Sequence, residues 1–333
     1  MAGTEPRQSE RGSGLVNDLD TESAASTRIE RLYRRFDRYV YAPAAVAYSD
    51  LRTRIGIAII LCFVLMGTVG VMLVEPAGMN EVPPFQSPFQ SAAAPLGADR
   101  MGQPIHSQVV HATPAMLQMA LAGIVFSVGV ALSIGVAAGY KGGIVDDVLM
   151  TATDILMVIP GLPLIVVIAA IWQPEQPFVV GMILAIDAWP GIARMLRSQV
   201  LTIREANYIE ADRAMGVGTG EILLSNIAPQ LMPFVLINAA EAARQVIFAS
   251  VALYFLGFLP FSTNNWGVIM NLAYKQGGAL SNPGLSGHWL YVPMIALTLF
   301  SFGLILFSQG MDRVFNPRLR ARHAKTVEQT EEH

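Results

Sequence analysis

The sequence predicts an all-α polytopic membrane protein with six transmembrane helices and both termini in the cytoplasm. Three observations lead there. Of 333 residues, 53% are hydrophobic and only 14% charged, with a mean hydropathy of +0.46, whereas about a quarter of a soluble domain is charged. Six apolar runs recur at roughly the length a helix needs to cross a bilayer, about 20 residues. Arginine and lysine gather on alternate connections, which orients the spans by the positive-inside rule. The net charge of −3 offers no basic surface for nucleic acid. The single cysteine, Cys62, lies in an apolar run and forms no disulfide within the chain. The first apolar run starts near Ile55, too far in for a secretory signal peptide, and is expected to stay as an anchor.

Residues 1–27 are rich in Ser, Thr, Gly, Asp and Glu without periodicity, the composition of a disordered cytoplasmic tail. Over 28–54 the character changes. Ile29, Leu32, Tyr33, Phe36 and Val40 recur at helical spacing, with Arg31, Arg34, Arg35 and Arg38 between them. This reads as an amphipathic helix on the membrane surface, its arginines at anionic headgroups, or alternatively docked on a partner.

A six-span domain is expected over 55–313. Span one is 55–74. Arg28, Arg31, Arg34, Arg35, Arg38, Arg52 and Arg54 precede it, and the following segment 75–114 holds only Arg100, so that segment is external, Pro-rich and irregular. His106 and His111 in it are five apart, a poor spacing for one helical face, and no metal site is expected. Span two, 116–139, ends in Gly135-Val136-Ala137-Ala138-Gly139, a spacing of small residues that lets helices approach closely. A turn with Lys141, Gly142 and Gly143 leads to span three, 155–172, where Pro160 and Pro163 predict a kink; Asp146, Asp147 and Asp154 lie on its cytoplasmic approach. Span four is 178–193, followed by Arg194, Arg197 and Arg204 inside. Span five is 231–259 and span six 290–309. The external connection 260–288 has only Lys275 as a cation and a short helix around 266–274. Arg313, Arg318, Arg320, Arg322 and Lys325 hold the C-terminal tail, 314–333, in the cytoplasm.

The cytoplasmic loop 205–229 is polar and too amphipathic to cross a bilayer. Ile209, Ala214 and Met215 form one apolar strip, with Glu210, Asp212 and Arg213 facing elsewhere. Gly216, Gly218 and Gly220 interrupt this helix, because Gly costs about 1 kcal/mol relative to Ala in a helix interior. A second short helix fits 221–227, stopped by Pro229. Helix, glycine break and helix between two spans is the layout of a docking surface.

This stretch resembles the "EAA" loop of the membrane subunits of type I ABC importers, whose pattern runs Tyr-Val-Glu-Ala-Ala-Arg-Ala-Leu-Gly and, further on, Ile-Leu-Pro. Tyr208, Glu210, Ala211, Arg213, Ala214, Gly216, Ile227 and Pro229 match it. Asp212 stands where a second Ala is usual, Asn226 where His is common and Ala228 where Leu is usual. The resemblance covers residues 50–322. LGADRMGQPIHSQVVHA, GYKGGIVDDVLMTATDILMVIPGLPL, AWPGIARMLRSQVLTIRE, ALYFLGFLP, NNWGVIM and DRVFNPRLR are similar to the dipeptide/oligopeptide/nickel ABC permeases, specifically the second of their two membrane subunits. It implies the type I importer permease fold in a plasma or inner membrane, a homologous second permease, two ABC ATPase subunits and an extracytoplasmic substrate-binding protein. It implies peptides, dipeptides first, as the substrate class, with nickel or another small solute as the alternative. It also implies that Tyr208, Glu210, Ala211, Asp212, Arg213, Ala214, Gly216, Ile227 and Pro229 form the surface that docks on the ATPase subunits.

No catalytic residue is expected. A phosphate-cradling loop closes with Gly-Lys-Ser/Thr, and Gly216-Val217-Gly218-Thr219-Gly220 has no following Lys. No cofactor is expected on this chain; ATP and Mg belong to the ATPase subunits. Ionisable residues inside spans are costly and face a cavity or a partner. Asp187 in span four and Glu241 and Arg244 in span five qualify, with Asn238 and Gln245 extending the strip. They are candidates for lining the translocation path; the alternative is an internal ion pair locking span five to span four through Asp187. For Glu210 and Arg213 the alternative is a pair with each other at i,i+3, worth a few tenths of a kcal/mol. Two rival classes stand beside this reading. A gradient-driven secondary transporter needs paired broken helices in related halves, and Pro160 breaks one span without an inverted partner. An intramembrane enzyme needs reactive groups at membrane depth, and His106, His111, His288, His323 and His333 all fall outside the expected spans.

Overall fold

The computed structural model describes residues 50–260 and 265–315, apart from the side chains of 313–315. The expected tail 1–27, nearly all of the surface helix in 28–54 and nearly all of the tail 314–333 lie outside the described residues. Among the described residues there is no strand, only an isolated bridge between Ala98 and Pro104.

Helix α1 (Leu51–Leu73) starts at Asp50, whose carboxylate accepts the Thr53 N–H at 3.2 Å and so satisfies one of the free first-turn donors. α2 spans Ile105–Lys141. α3 (Gly143–Val158) and α4 (Gly161–Trp172) meet at a bend of 84°, and α5 (Pro177–Leu184) and α6 (Trp189–Arg204) at 62°. α7 (Asn207–Ala214), α8 (Thr219–Leu256), α9 (Trp266–Lys275) and α10 (Pro283–Phe315) complete the described chain. α1, α2, α8 and α10 are each long and apolar enough to cross a membrane, and each bent pair is when taken as one span, which gives four spans and up to six.

Several boundaries differ from expectation for identifiable reasons. Span three is two helices rather than one kinked helix, because Pro160 cannot donate to the ladder and takes an extended conformation ahead of α4. Span four also breaks, at residues 185–188, with Pro190 in the first turn of α6 where a missing N–H is harmless. α2 begins at Ile105, so His106 and His111 sit on its first turns rather than in a loop. Asp99 stops the irregular segment there: its Oδ1 accepts the N–H groups of Met101 and Gln103 at 2.8 and 2.9 Å, and its Oδ2 accepts Gln108 Nε2 at 2.9 Å. The segment is folded back onto the bundle by bonds from His111 to Val74 O (2.9 Å) and from His288 to Ala98 O (3.0 Å).

The packing centre is α2. Gly135 and Gly139 meet α6 as their spacing predicts: a Cβ on Gly135 would lie 2.6 Å from Ala193 O, and one on Gly139 2.8 Å from Val200 Cβ. Gly56 brings α1 equally close to α10, where a Cβ would lie 2.6 Å from Phe307 N. Towards the other end Phe63, Trp266 and Phe300 form an aromatic cluster with centroids 4.9 to 6.4 Å apart. Trp266 Nε1 donates to Val109 O at 3.2 Å, fastening α9, the short helix expected around 266–274, to α2.

Candidate functional site

The loop between α6 and α8 folds as a hairpin. Ile209, Ile222 and Ile227 are buried at 0 to 1% exposure and join Leu196, Val200 and Leu231 in one cluster, so the hairpin is nailed to the bundle by its apolar underside. Tyr208, Glu210, Ala211, Arg213, Ala214 and Gly216 are exposed on the other side, and Met215 and Leu224 are 72% and 78% exposed. Gly216 ends α7 at φ +78°, the left-handed conformation that favours glycine after a helix, and a Cβ there would touch nothing within 4 Å.

The structure revises four readings of this loop. Ile209, Ala214 and Met215 do not share a strip: Ile209 points into the core and the other two are exposed. Gly220 is inside α8 rather than a break. Pro229 does not stop the second helix. α8 takes a π turn over Leu223–Ile227, with the Ala228 N–H bonded to Leu223 O, and runs on through Pro229 in the turn that follows the π turn. Arg213 lies over the Tyr140 ring, 5.0 Å from its centroid, rather than pairing with Glu210. Asp212 Oδ2 accepts Asn226 Nδ2 at 2.5 Å, and Tyr208 Oη accepts Gln230 Nε2 at 2.8 Å.

Sequence reasoning missed Tyr140 and Gln230. The i,i+4 spacing of Asn226 and Gln230 marks a shared face, but nothing in the chain near residue 140 announces the arginine above it. α6 is braced just before the hairpin. Arg197 pairs with Asp146 of α3, its Nε donating to Oδ1 at 2.5 Å; Arg194 pairs with Asp154; and Arg204 Nη1 donates to Tyr140 O at 3.2 Å.

The second candidate set lies on α8. At 1.5 Å per residue its 38 residues reach about 57 Å, well beyond the hydrocarbon thickness of about 30 Å. Glu241 and Arg244 pair within the helix, Arg244 Nε donating to Glu241 Oε2 at 3.0 Å, and their side chains remain 52% and 32% exposed. Asn238 donates to Phe234 O at 2.7 Å, and Gln245 is exposed one turn beyond Glu241. Asp187 is not on this strip and pairs with neither residue. It sits in the α5–α6 break, its carboxylate packed against Gly161 at the start of α4 and its Oδ1 buried without a hydrogen-bond partner. The internal lock between spans four and five is therefore not formed. Among the described residues no group of three or more His, Cys, Asp or Glu is placed to hold a metal ion.

Long apolar helices, two broken spans and a polar hairpin anchored by its apolar underside define a multi-pass membrane protein. The chain belongs to the binding-protein-dependent transport system inner membrane component family, which matches residues 129–321. It is similar to the dipeptide transport system permease protein DppC of Bacillus subtilis, 26% identical over 272 residues, 80% of this chain and 81% of the relative. The glutathione transport system permease protein GsiD of Pectobacterium atrosepticum is 26% identical over 236 residues, 69% and 75% of the two chains. The oligopeptide transport system permease protein OppC of Mycobacterium bovis is 30% identical over 164 residues, 49% and 56%. Among solved structures, a chain from inward-facing conformations of the MetNI methionine ABC transporter aligns with a TM-score of 0.47 at 20% identity, covering 62% of this chain and 98% of that one. The protein is thus a permease subunit of a transport system, a multi-pass component of the inner membrane that works with other subunits, and the resemblance to ABC importer permeases holds.

Proposed function

We propose that this permease moves peptides, dipeptides first, into the cytoplasm by alternating access. ATP and Mg are used on two separate ABC ATPase subunits, and the complex includes a homologous second permease and an extracytoplasmic substrate-binding protein. Both termini lie in the cytoplasm. The observation that carries the reading is the two-sided hairpin: Ile209, Ile222 and Ile227 anchor it, while Tyr208, Glu210, Ala211, Ala214 and Gly216 are left open at the junction of two spans. A partner that seats on this face moves α6 and α8 as rigid elements. Arg213 is exposed with Tyr208 and Glu210, over the Tyr140 ring, while Asp212, Ile227 and Pro229 shape the hairpin from within. Peptides are favoured over nickel because the relatives above are named for dipeptides, glutathione and oligopeptides. The exposed strip of Asn238, Glu241, Arg244 and Gln245 faces the second permease and the path between them, since half-exposed charges inside a span do not face lipid; Asp187 lies apart from it, at the α5–α6 break against Gly161.

The test is purification in mild detergent from native cells, with mass spectrometry of what accompanies the chain and an ATPase assay, beside a variant carrying Gly216→Pro and Glu210→Ala. A second permease and ATPase subunits are expected with the wild type and lost, with their activity, from the variant. A wild-type chain that comes out alone, or a variant indistinguishable from it, refutes the docking role.

A further inference from the structure

We propose that two hydrogen bonds between α7 and the beginning of α8 form the link that carries movement of α7 into α8, an inference that rests on the docking reading above. Tyr208 and Asp212 are four residues apart and share a face of α7, and Asn226 and Gln230 share a face of α8 in the same way. The fold sets these faces together as an antiparallel ladder. Gln230 Nε2 donates to Tyr208 Oη at 2.8 Å, and Asn226 Nδ2 donates to Asp212 Oδ2 at 2.5 Å. Gln230 Nε2 also donates to Asn226 O at 2.7 Å, which joins the two rungs.

The covalent route between the helices is poorly suited to this task. It runs through Gly216, at φ +78° with nothing within 4 Å of an added Cβ, and through Gly218, which is equally open. Its backbone bonds close locally, Gly216 N–H to Arg213 O and Val217 N–H to Asp212 O at 3.0 Å on the α7 side and Glu221 N–H to Gly218 O at 3.0 Å on the α8 side, so none of them joins one helix to the other. The apolar contacts of Ile209 beneath it hold α7 down, but hydrophobic contact has no direction. The rungs are directional, and they land on the π turn and on the turn after it, at either side of Pro229. From there α8 continues unbroken to Leu256. A displacement of α7 therefore reaches the span at Asn226 and Gln230, bypassing the glycine turn. Asp212 and Asn226 are also two of the positions where this loop departs from the pattern it resembles, and the structure bonds one departure to the other. They are positioning residues: they act on α8 and touch neither nucleotide nor substrate.

Because Cys62 is the single cysteine, a Cys62→Ser chain accepts one reporter. Phe248, exposed on α8, is replaced by cysteine and spin-labelled in the complex with its ATPase subunits. Spectra with ATP and vanadate are compared with nucleotide-free spectra and scaled to trapped nucleotide. The parent is expected to show a nucleotide-dependent change, Asn226→Ala to reduce it about fivefold or more, and the reversed pair D212N/N226D to restore it. An Asn226→Ala response equal to the parent's, a reversed pair that restores nothing, or a parent without any response overturns the proposal. Loss of ATPase subunits from Asn226→Ala also overturns it, by assigning the rungs to docking alone. If the parent itself purifies without ATPase subunits, the docking reading falls as well; intact assembly with an unchanged response removes only the ladder.

Discussion

The close approach of α2 to α6 makes a prediction whose sign can be worked out beforehand. Gly129, Gly135 and Gly139 all lie within α2. Alanine at any of them gains up to about 1 kcal/mol of helix propensity. At Gly129 nothing lies within 4 Å of the new Cβ, so that gain stands alone. At Gly135 the Cβ would sit 2.6 Å from Ala193 O and 2.9 Å from Leu196 Cβ, where ordinary contact begins at 3.4 Å. At Gly139 it would sit 2.8 Å from Val200 Cβ and 2.9 Å from Arg197 O. The obstructing atoms are backbone oxygens and Cβ atoms of α6, which no rotamer change removes, so the whole helix must shift. Overpacking of this kind costs about 1–3 kcal/mol, which exceeds the propensity gain by up to about 2 kcal/mol. With about 2–4 °C per kcal/mol for a chain of this order of size, Gly135→Ala should melt several degrees below Gly129→Ala. Thermal unfolding of the detergent-purified variants, followed by size-exclusion, supplies the ranking. Gly129→Ala is expected at or above wild type, with Gly135→Ala and Gly139→Ala below it. If Gly135→Ala melts with Gly129→Ala, α2 and α6 are not in contact as described.

The two Arg–Asp pairs between α3 and α6 should separate in the same assay. Asp146→Ala leaves the partly buried Arg197 unpaired and should cost about 1–3 kcal/mol, whereas Asp154→Ala breaks a pair that is more than half exposed on both sides and should change stability by less than about 1 kcal/mol. Trp266→Phe keeps the aromatic cluster but removes the donor to Val109 O, a loss of about 1 kcal/mol; Trp266→Ala removes both, a loss of about 3–5 kcal/mol. In a Cys62→Ser background, Gln245→Cys in the assembled complex should react with a charged, membrane-impermeant thiol reagent and Leu61→Cys, exposed on the apolar α1, should not; equal labelling of the two would argue against a water-lined strip on α8.

The sequence by itself determined the membrane-embedded, all-helical class, because a bilayer accepts only segments that satisfy their own backbone, and such segments are written as apolar runs. It marked Gly135 and Gly139 as places where another helix can approach closely, since absence of a side chain is the requirement, while the structure supplied α6 as the neighbour. The position of the short helix at Trp266, which Asn265 caps by accepting the Gly267 N–H, was likewise legible in the chain. It also located the exposed hairpin, through Gly216 and the polar residues around it. What it did not determine depends on atoms remote in the chain. Pro229 reads locally as a stop, yet α8 passes through it because the π turn shifts the register and Ile222, Ile227 and Leu231 keep the helix packed on both sides. Asp187 reads as a residue within a span, and only the bend between α5 and α6 puts it against Gly161. The partners of Asp212, Arg213 and Tyr208 lie 14, 73 and 22 residues away, at Asn226, Tyr140 and Gln230. Local pattern reports which residues need burial or freedom; which polar group answers which is settled when the helices close on one another.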